Sequence, residues 1–230
     1  VELPDGRKII VEVPVIVTPG VRPIIVPQGT PVTPEDVKNH IDIPNEPGWE
    51  IIEIGEIPST VPAGVKQGVK VKIKVPSGEI IEVEVPVIST PKVTPIVVEV
   101  GTPITKEDVK KHVELPKESG WEIVEVGEIP TTIPAGVKPS VKVKIKVPTG
   151  EIIEVEVPII VTPTVTPIVV EVGTPITKED VIKKVGLPEG WEIVEVGEIP
   201  TTEKPGTKPV VKVKIKLPDG RIITVDVPVT

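Results

Sequence analysis

The most regular pattern of apolar and polar residues runs from Val141 to Val157. Apolar and Lys residues alternate strictly over Val141–Val147, and apolar and Glu residues alternate over Ile153–Val157. The Pro148–Gly150 segment between them has the composition of a tight turn. Because a period of two places alternate side chains on opposite faces, this pattern predicts a β-hairpin. We expect its Lys side chains to face its Glu side chains across the pair, at Lys142, Lys144, Lys146, Glu154 and Glu156.

The residues before this hairpin predict a short strand followed by a short helix. Ile96–Val100 is an apolar run of strand length. Thr105 is a favoured N-cap, and Asp108 stands at the third helical position, so the two form an approximate capping box. At the corresponding point upstream, Pro34 occupies the first helical position, where its missing N–H costs nothing. The helix spans about two turns and therefore needs tertiary packing to persist.

A second strand-like segment, Trp121–Ile129, changes phase partway along. Trp121 and Ile123 fall on one face of the predicted strand, whereas Val124 and Val126 fall on the other. Such a slip indicates either a β-bulge or a strand that is buried on both faces. A loop rich in Pro, ending at Gly136, follows this segment.

The whole pattern recurs along the chain with an offset of 72 residues. It defines three predicted domains at 18–89, 90–161 and 162–230, of which the third is shortened before its Trp. Residues 1–17 align with the end of a domain and predict an orphan terminal hairpin. This hairpin is either a cap on the first domain or a boundary scar. The Thr-Pro pairs that open the three domains are Thr18-Pro19, Thr90-Pro91 and Thr162-Pro163.

Composition narrows the classes of function. Hydrophobic residues make up 38% of the chain, aromatic residues only 1%, and Cys is absent. Val and Ile, which favour strands, therefore supply the core volume. The net charge of −8 argues against partners such as nucleic acid or anionic membrane surfaces. No apolar run approaches the roughly 18 residues needed to cross a bilayer. The absence of Cys excludes disulfides, thiolate nucleophiles and Cys-ligated metals.

Four motifs follow one another in the third repeat: the helix start at Val172–Asp180, L-P-x-G at Leu187–Gly190, P-G-T-K at Pro205–Lys208 and the P-D-G turn at Pro218–Gly220. Their order and spacing resemble the Rib domain, a tandem repeat in surface proteins of Gram-positive bacteria. The resemblance covers nearly the whole chain and implies a shrunken immunoglobulin-like β-sandwich that acts as a stalk, projecting an adhesive tip. It carries no catalytic residues over to this chain.

The sequence also departs from the Rib pattern, and the departures suggest a designed or sequence-optimised origin. No Phe, Tyr or Met occurs, and Lys and Glu alternate on the predicted strand faces. The helix-cap residues, the turn residues and the alternation of apolar and polar residues all favour the same fold, as in idealised designs. No LPxTG-type sorting signal is present. The Tyr that usually precedes P-D-G is replaced by Leu3, Val75, Val147 and Leu217.

No residue is predicted to be catalytic, cofactor-binding or metal-binding. His40 and His112 are equivalent, become Lys184 in the third repeat, and are interpreted as solvent-facing helix residues. Since Asn39 and Asn45 lie only in the first repeat, an isopeptide crosslink in every domain is excluded. The Trp residues are interpreted as core rather than as carbohydrate platforms. Acidic pairs are assigned to helix capping rather than Ca²⁺ binding at Glu35/Asp36, Glu107/Asp108 and Glu179/Asp180.

These observations predict a non-catalytic structural rod or scaffold, with no cofactor and no required partner. The alternatives are the stalk of a bacterial adhesin and a binding module that uses the exposed Lys/Glu sheet face. Self-association through exposed strand edges is left open. A designed protein would be a soluble recombinant product, whereas a natural one would lie outside the bacterial cell.

Overall fold

A computed structural model of the chain describes residues 1–13 and 15–230. It divides into two compact units, Val1–Pro91 and Lys92–Thr230. The first unit holds residues 1–17 and the first sequence repeat, and the second unit holds the second and third repeats. The boundaries at 18–89, 90–161 and 162–230 stay predictions. None of the helices in the described part of the chain is long and apolar enough to cross a membrane.

The first repeat contains one four-stranded sheet, one two-stranded sheet and one helix. The sheet of four has the order β2-β6-β5-β4, in which β2 and β6 are parallel and the other pairs antiparallel, and β1 pairs with β3. The elements are β1 (Gly20–Val21), β2 (Ile24–Pro27), α1 (Pro34–Asn39), β3 (Ile41–Asp42), β4 (Glu50–Ile54), β5 (Gly64–Lys74) and β6 (Ile80–Thr90).

The second repeat has the same architecture. Its sheet has the order β10-β11-β12-β8, with β8 and β12 parallel, and β7 pairs with β9. The predicted Lys/Glu hairpin is confirmed, because β11 and β12 pair Lys142 with Glu156 and Lys144 with Glu154. The elements are β7 (Lys92–Val93), β8 (Ile96–Glu99), α2 (Lys106–Lys111), β9 (Val113–Glu114), β10 (Glu122–Val126), β11 (Gly136–Lys146) and β12 (Ile152–Thr162).

The third repeat keeps three strands of the larger sheet, in the order β15-β16-β17. Where the other repeats have a parallel edge strand, this one has a single bridge between Ile168 and Val229. The predicted class, mainly β with one short helix per repeat, is thus confirmed. The elements are β13 (Thr164–Val165), α3 (Lys178–Ile182), β14 (Val185–Gly186), β15 (Glu192–Val196), β16 (Val211–Lys216) and β17 (Ile222–Val227).

The core of each repeat lies on one face of its larger sheet. In the first repeat, alternate residues of β5 and β6 point inward, and Val37 of α1 is fully buried in the same cluster. The helix therefore covers the apolar face that the sheet could not bury alone. The inward residues of the two strands are Val69, Val71, Ile73, Val83, Val85 and Val87.

The phase slip near Trp121 is a β-bulge. The pairing of β10 with β11 shifts register between Ile123 and Glu125, and Val124 is exposed. Two-sided burial, the other interpretation, does not hold because an outward Val124 has no second layer to pack against. The first and third repeats shift at the equivalent places, between Ile51 and Glu53 and between Ile193 and Glu195.

Residues 1–17 form a turn but not the full hairpin that the sequence predicts. Leu3–Gly6 turns the chain, and a single antiparallel bridge joins Glu2 to Lys8. Beyond this bridge, residues 9–13 and 15–17 have no strand structure. An isolated two-stranded hairpin is marginal in water, and among the described residues no sheet pairs with this one to supply a third strand.

Candidate functional site

The Asp of each acidic pair at a helix start is a capping group. In the second repeat, the Asp108 carboxylate accepts hydrogen bonds from the Thr105 hydroxyl (2.6 Å) and the Thr105 backbone N–H (2.9 Å). The Asp108 N–H donates back to Thr105 Oγ1 at 3.2 Å. The hydrogen bond from the Thr105 side chain, then that from its backbone, lowers the pKa of Asp108. The capping interpretation is confirmed in all three helices.

The two His residues end their helices and are half-buried, so the interpretation of them as solvent-facing is wrong. His40 Nδ1 lies 2.7 Å from the Asp36 carbonyl oxygen, and His112 Nδ1 lies 3.0 Å from Thr94 Oγ1. Each ring packs back against its own helix end or the first strand because the C-cap backbone turns there. In the third repeat this position is Lys184.

These three positions share a backbone role. The carbonyl oxygens of His40, His112 and Lys184 each accept an N–H from the start of their own repeat, at 2.9 Å in every case. Each bond ties the end of the helix to the first short strand. The side chain is free to vary because the backbone makes the contact. Among the described residues, no group of three or more His, Asp or Glu could hold a metal ion.

Two Lys residues of the Lys/Glu face form ion pairs with nearby carboxylates. Lys142 lies 2.9 Å from Glu154, and Lys144 lies 2.8 Å from Glu125 of the neighbouring β10. Hydrogen bonding to these carboxylates raises the pKa of both Lys side chains. The Lys side chains of β11 thus pair with carboxylates on two different strands, β12 and β10. The hairpin pattern alone could not show the second of these. Since all four side chains are substantially exposed, each pair contributes little to stability.

The Trp residues belong to the core in the second and third repeats. Trp121 and Trp191 are each only 9% exposed, whereas Trp49 of the first repeat is half-buried. A ring buried to this degree cannot offer a flat face to a sugar. The interpretation as core is therefore confirmed for Trp121 and Trp191.

The most distinctive contact lies where the second repeat meets the third. Ile160, near the end of β12, is buried in the hydrophobic core of the third repeat. Its neighbours Ile159 and Val161 are also fully buried. Only Pro163, itself buried, separates β12 from β13. The two repeats of this unit are therefore joined by shared core rather than by a free linker.

Sequence reasoning missed this junction, although the chain carries a signal for it. The alternation of β12 stops at Pro158 and gives way to the consecutive apolar residues Ile159, Ile160 and Val161. A run of this kind indicates a strand that is buried on both faces. Here one face is covered by the second repeat and the other by the third.

The fold and the junction together define a tandem β-repeat protein. The features that its repeats share are helix caps, turns and core packing. Residues 161–230 match the family model of the Rib domain. The third repeat is therefore a Rib domain, as its motifs suggested. It is 33% identical over 266 aligned positions to the C protein alpha-antigen of Streptococcus agalactiae serotype Ia. That alignment covers 100% of this chain and 26% of the relative, so the chain spans about a quarter of the relative's length.

Proposed function

We propose that this chain is a non-catalytic spacer that holds a fixed distance between whatever is joined to its two ends. The observation that carries the proposal is the junction at Ile160. Because this side chain lies in the core of the next repeat, bending at the junction would expose apolar surface to water. That exposure costs a free energy of about 25 cal/mol for each Å² exposed. Such a junction resists bending where a Gly- or Ser-rich linker would not.

The likeness to the alpha-antigen supports a setting for this function. Repeats joined through shared core suit a stalk of a bacterial cell-surface protein, which would place the chain outside the cell. A binding function would use the exposed Lys/Glu face, and the ion pairs on that face support the spacer function instead. In the second repeat Lys142 and Lys144 of this face already have carboxylate partners, so a charged ligand would have to displace Glu154 and Glu125 from them.

Small-angle X-ray scattering of the full chain tests the spacer proposal. We expect an elongated monomer whose maximum dimension changes little with ionic strength. Inserting Gly-Ser-Gly after Thr162 should broaden the distance distribution, because it separates Ile160 from the core that holds it. The same insertion after Thr149, in the β11–β12 turn, is the matched control and should leave the distribution unchanged. A compact particle would contradict the proposal.

We also infer that the sequence was designed or optimised rather than inherited unchanged. Its support is compositional: Phe, Tyr, Met and Cys are absent, yet every helix has a full capping box. An identity of 33% to a natural surface antigen fits an idealised version of the family. A natural protein nearly identical to the chain over its whole length would refute this inference.

A further inference from the structure

In the first and second repeats, the first and last strands of the larger sheet lie side by side and run parallel. β8 pairs with the end of β12 over four residue pairs, from Ile96 opposite Ile159 to Glu99 opposite Thr162. β2 and β6 pair in the same way in the first repeat. The strand by which the chain enters each sheet is thus bonded directly to the strand by which it leaves.

Tension along the chain loads this pair of strands in one particular direction. The load enters β8 at its first residue, Ile96, and leaves β12 at its last residue, Thr162. Because the strands are parallel, these residues lie at opposite ends of the pair, so tension slides one strand along the other. Sliding must break all four residue pairs together, whereas strands that are pulled apart from one end lose their pairs one after another. The parallel arrangement therefore gives its greatest resistance to a pull along the chain.

Packing also opposes the sliding of β8 along β12. Ile96 is only 3% exposed, and residues 159–161 of β12 are at most 1% exposed. A shift of one residue would turn the inward side chains of β8 to the outward face, because successive side chains of a strand alternate. In the first repeat, Ile24 of β2 is likewise only 2% exposed. The pairing is thus held in register by buried side chains as well as by hydrogen bonds.

The direction of the N–H groups of β8 follows from the equivalent residues of the third repeat. There, Val170 N–H donates to the Thr230 carbonyl oxygen at 3.1 Å. Val170 corresponds to Val98 of β8, so the Val98 N–H points to β12. The N–H of the next residue, Glu99, faces the open edge, because successive N–H groups of a strand alternate. Pro27, which has no N–H, occupies the position of Glu99 in β2 and keeps its place in the parallel pairing. The pairing therefore needs the Val98 N–H and does not need that of Glu99.

β12 is held more firmly on its other side than it is by β8. It pairs with β11 over nine residue pairs, from Gly136 opposite Val161 to Lys146 opposite Ile152. Ile160 is at the same time buried in the core of the third repeat. Under tension, the four pairs with β8 are therefore the contacts that separate first, and they set the force at which the repeat opens.

We propose that the parallel pairing of the first and last sheet strands is a mechanical clamp, which lets a repeat carry tension along the chain without unfolding. This function goes beyond that of the spacer, which concerns bending at the junction. Forced unfolding depends on the barrier to opening rather than on equilibrium stability. The clamp raises this barrier for a pull along the chain and not for a pull that peels β8 away from β12.

Single-molecule force spectroscopy of the full chain, pulled in two directions, tests the clamp. The chain has no Cys, so exposed residues replaced by Cys serve as the points of attachment. Pro95→Cys with Thr164→Cys loads β8 and β12 from opposite ends. Glu99→Cys with Thr164→Cys is the matched control, because it pulls the same two strands apart from one end. We expect the first protein to unfold at a several-fold higher force, while urea denaturation gives both the same stability. Equal unfolding forces would overturn the proposal.

Proline substitution tests whether the hydrogen bonds of β8 make the clamp. In the protein pulled from opposite ends, Val98→Pro removes the N–H that points to β12 and should lower the unfolding force several-fold. Glu99→Pro is the matched control, since Pro27 already occupies that position in the first repeat, and it should leave the force unchanged. Equal forces for the two Pro variants would overturn the proposal. If Val98→Pro does not fold, the comparison of pulling directions decides alone. None of these results affects the spacer function, which scattering tests separately.

Discussion

Residues 1–17 and residues 215–230 have closely related sequences and different structures. Both turn at an L-P-D-G-R motif with the same hydrogen bonds, yet only the second continues into a paired strand, β17. The difference lies in what surrounds them. β17 pairs with β16 and packs on α3 through a shared core, whereas the described residues of the N-terminal segment (1–17) form only the single bridge between Glu2 and Lys8. Turn chemistry is therefore local, but strand formation depends on packing.

The largest expected difference comes from truncating the same inward-facing residue in the third repeat and in the N-terminal segment. Ile223→Ala should lower the free energy of unfolding of the third repeat by about 2–5 kcal/mol, because it leaves a cavity in a packed core. Ile9→Ala changes the equivalent residue, which is 44% exposed, and should stay within about 0.5 kcal/mol. Urea denaturation of dilute protein measures both. Equal losses would mean that the N-terminal segment is packed after all.

A smaller effect should come from removing a helix cap inside the third repeat. Thr177→Ala removes the N-cap hydroxyl of α3, which accepts the Asp180 N–H at 3.2 Å. We expect a loss of about 1 kcal/mol, typical of an N-cap. Thr177→Ser keeps the hydroxyl and should remain close to wild type in the same urea titration. If both variants lost the same stability, the cap would act through its methyl group instead.

The pH dependence should distinguish the two turns. Hydrogen bonds from the Arg side chains lower the pKa of both Asp5 and Asp219. A lowered pKa in the folded state gives stability that is present above the unfolded value and is lost as pH falls through the folded one. Only Asp219 lies in a packed repeat. Asp219→Asn should therefore weaken the acid sensitivity of unfolding, and Asp5→Asn should not.

Nuclear magnetic resonance titration of the two carboxylates completes this test. Both pKa values should lie below the ordinary Asp value, because the Arg partner is within the same turn in each case. An ordinary pKa at Asp5 alone would show that its turn is not formed in solution. The claim that the turn forms from nearby residues alone would then be wrong.

The smallest effect is expected on the outward face. Glu82 and Glu154 lie 3.2 Å and 2.9 Å from Lys70 and Lys142, but the third repeat has Thr224 at this position. Thr224→Glu should restore the pair with Lys212 and stabilise the repeat by about 0.2–1 kcal/mol at low salt. The gain should vanish in about 1 M NaCl, where charges are screened within roughly 3 Å. A gain that survives high salt would point to packing rather than charge.

Sequence reasoning succeeded where the determining contacts are close along the chain. The Thr105 cap, the bulge after Ile123 and the β11–β12 hairpin each depend on residues that are near neighbours or that alternate regularly. It failed where distant segments decide. The two-residue strands β7 and β9 exist because they pair with each other, and their sequences alone do not mark them. The half-burial of His112 likewise depends on Thr94, 18 residues away.

The junction is an intermediate case. Ile160 stands in an apolar run that indicates burial on both faces, but the sequence does not say which layer covers the second face. The structure shows that the next repeat does so. The same run precedes the first repeat at Val15–Val17, where Ile16 is only partly covered. Burial of this position thus requires a complete repeat on each side.

Amide hydrogen exchange of the dilute monomer, resolved by residue, tests most directly whether packing decides where the repeated sequence folds. Hydrogen-bonded amides of β17 should exchange slowly, at rates set by unfolding of the third repeat. Amides of residues 10–13, with the same apolar pattern, should exchange at rates near those of an unfolded chain. Equal protection of the two segments in the monomer would contradict the account.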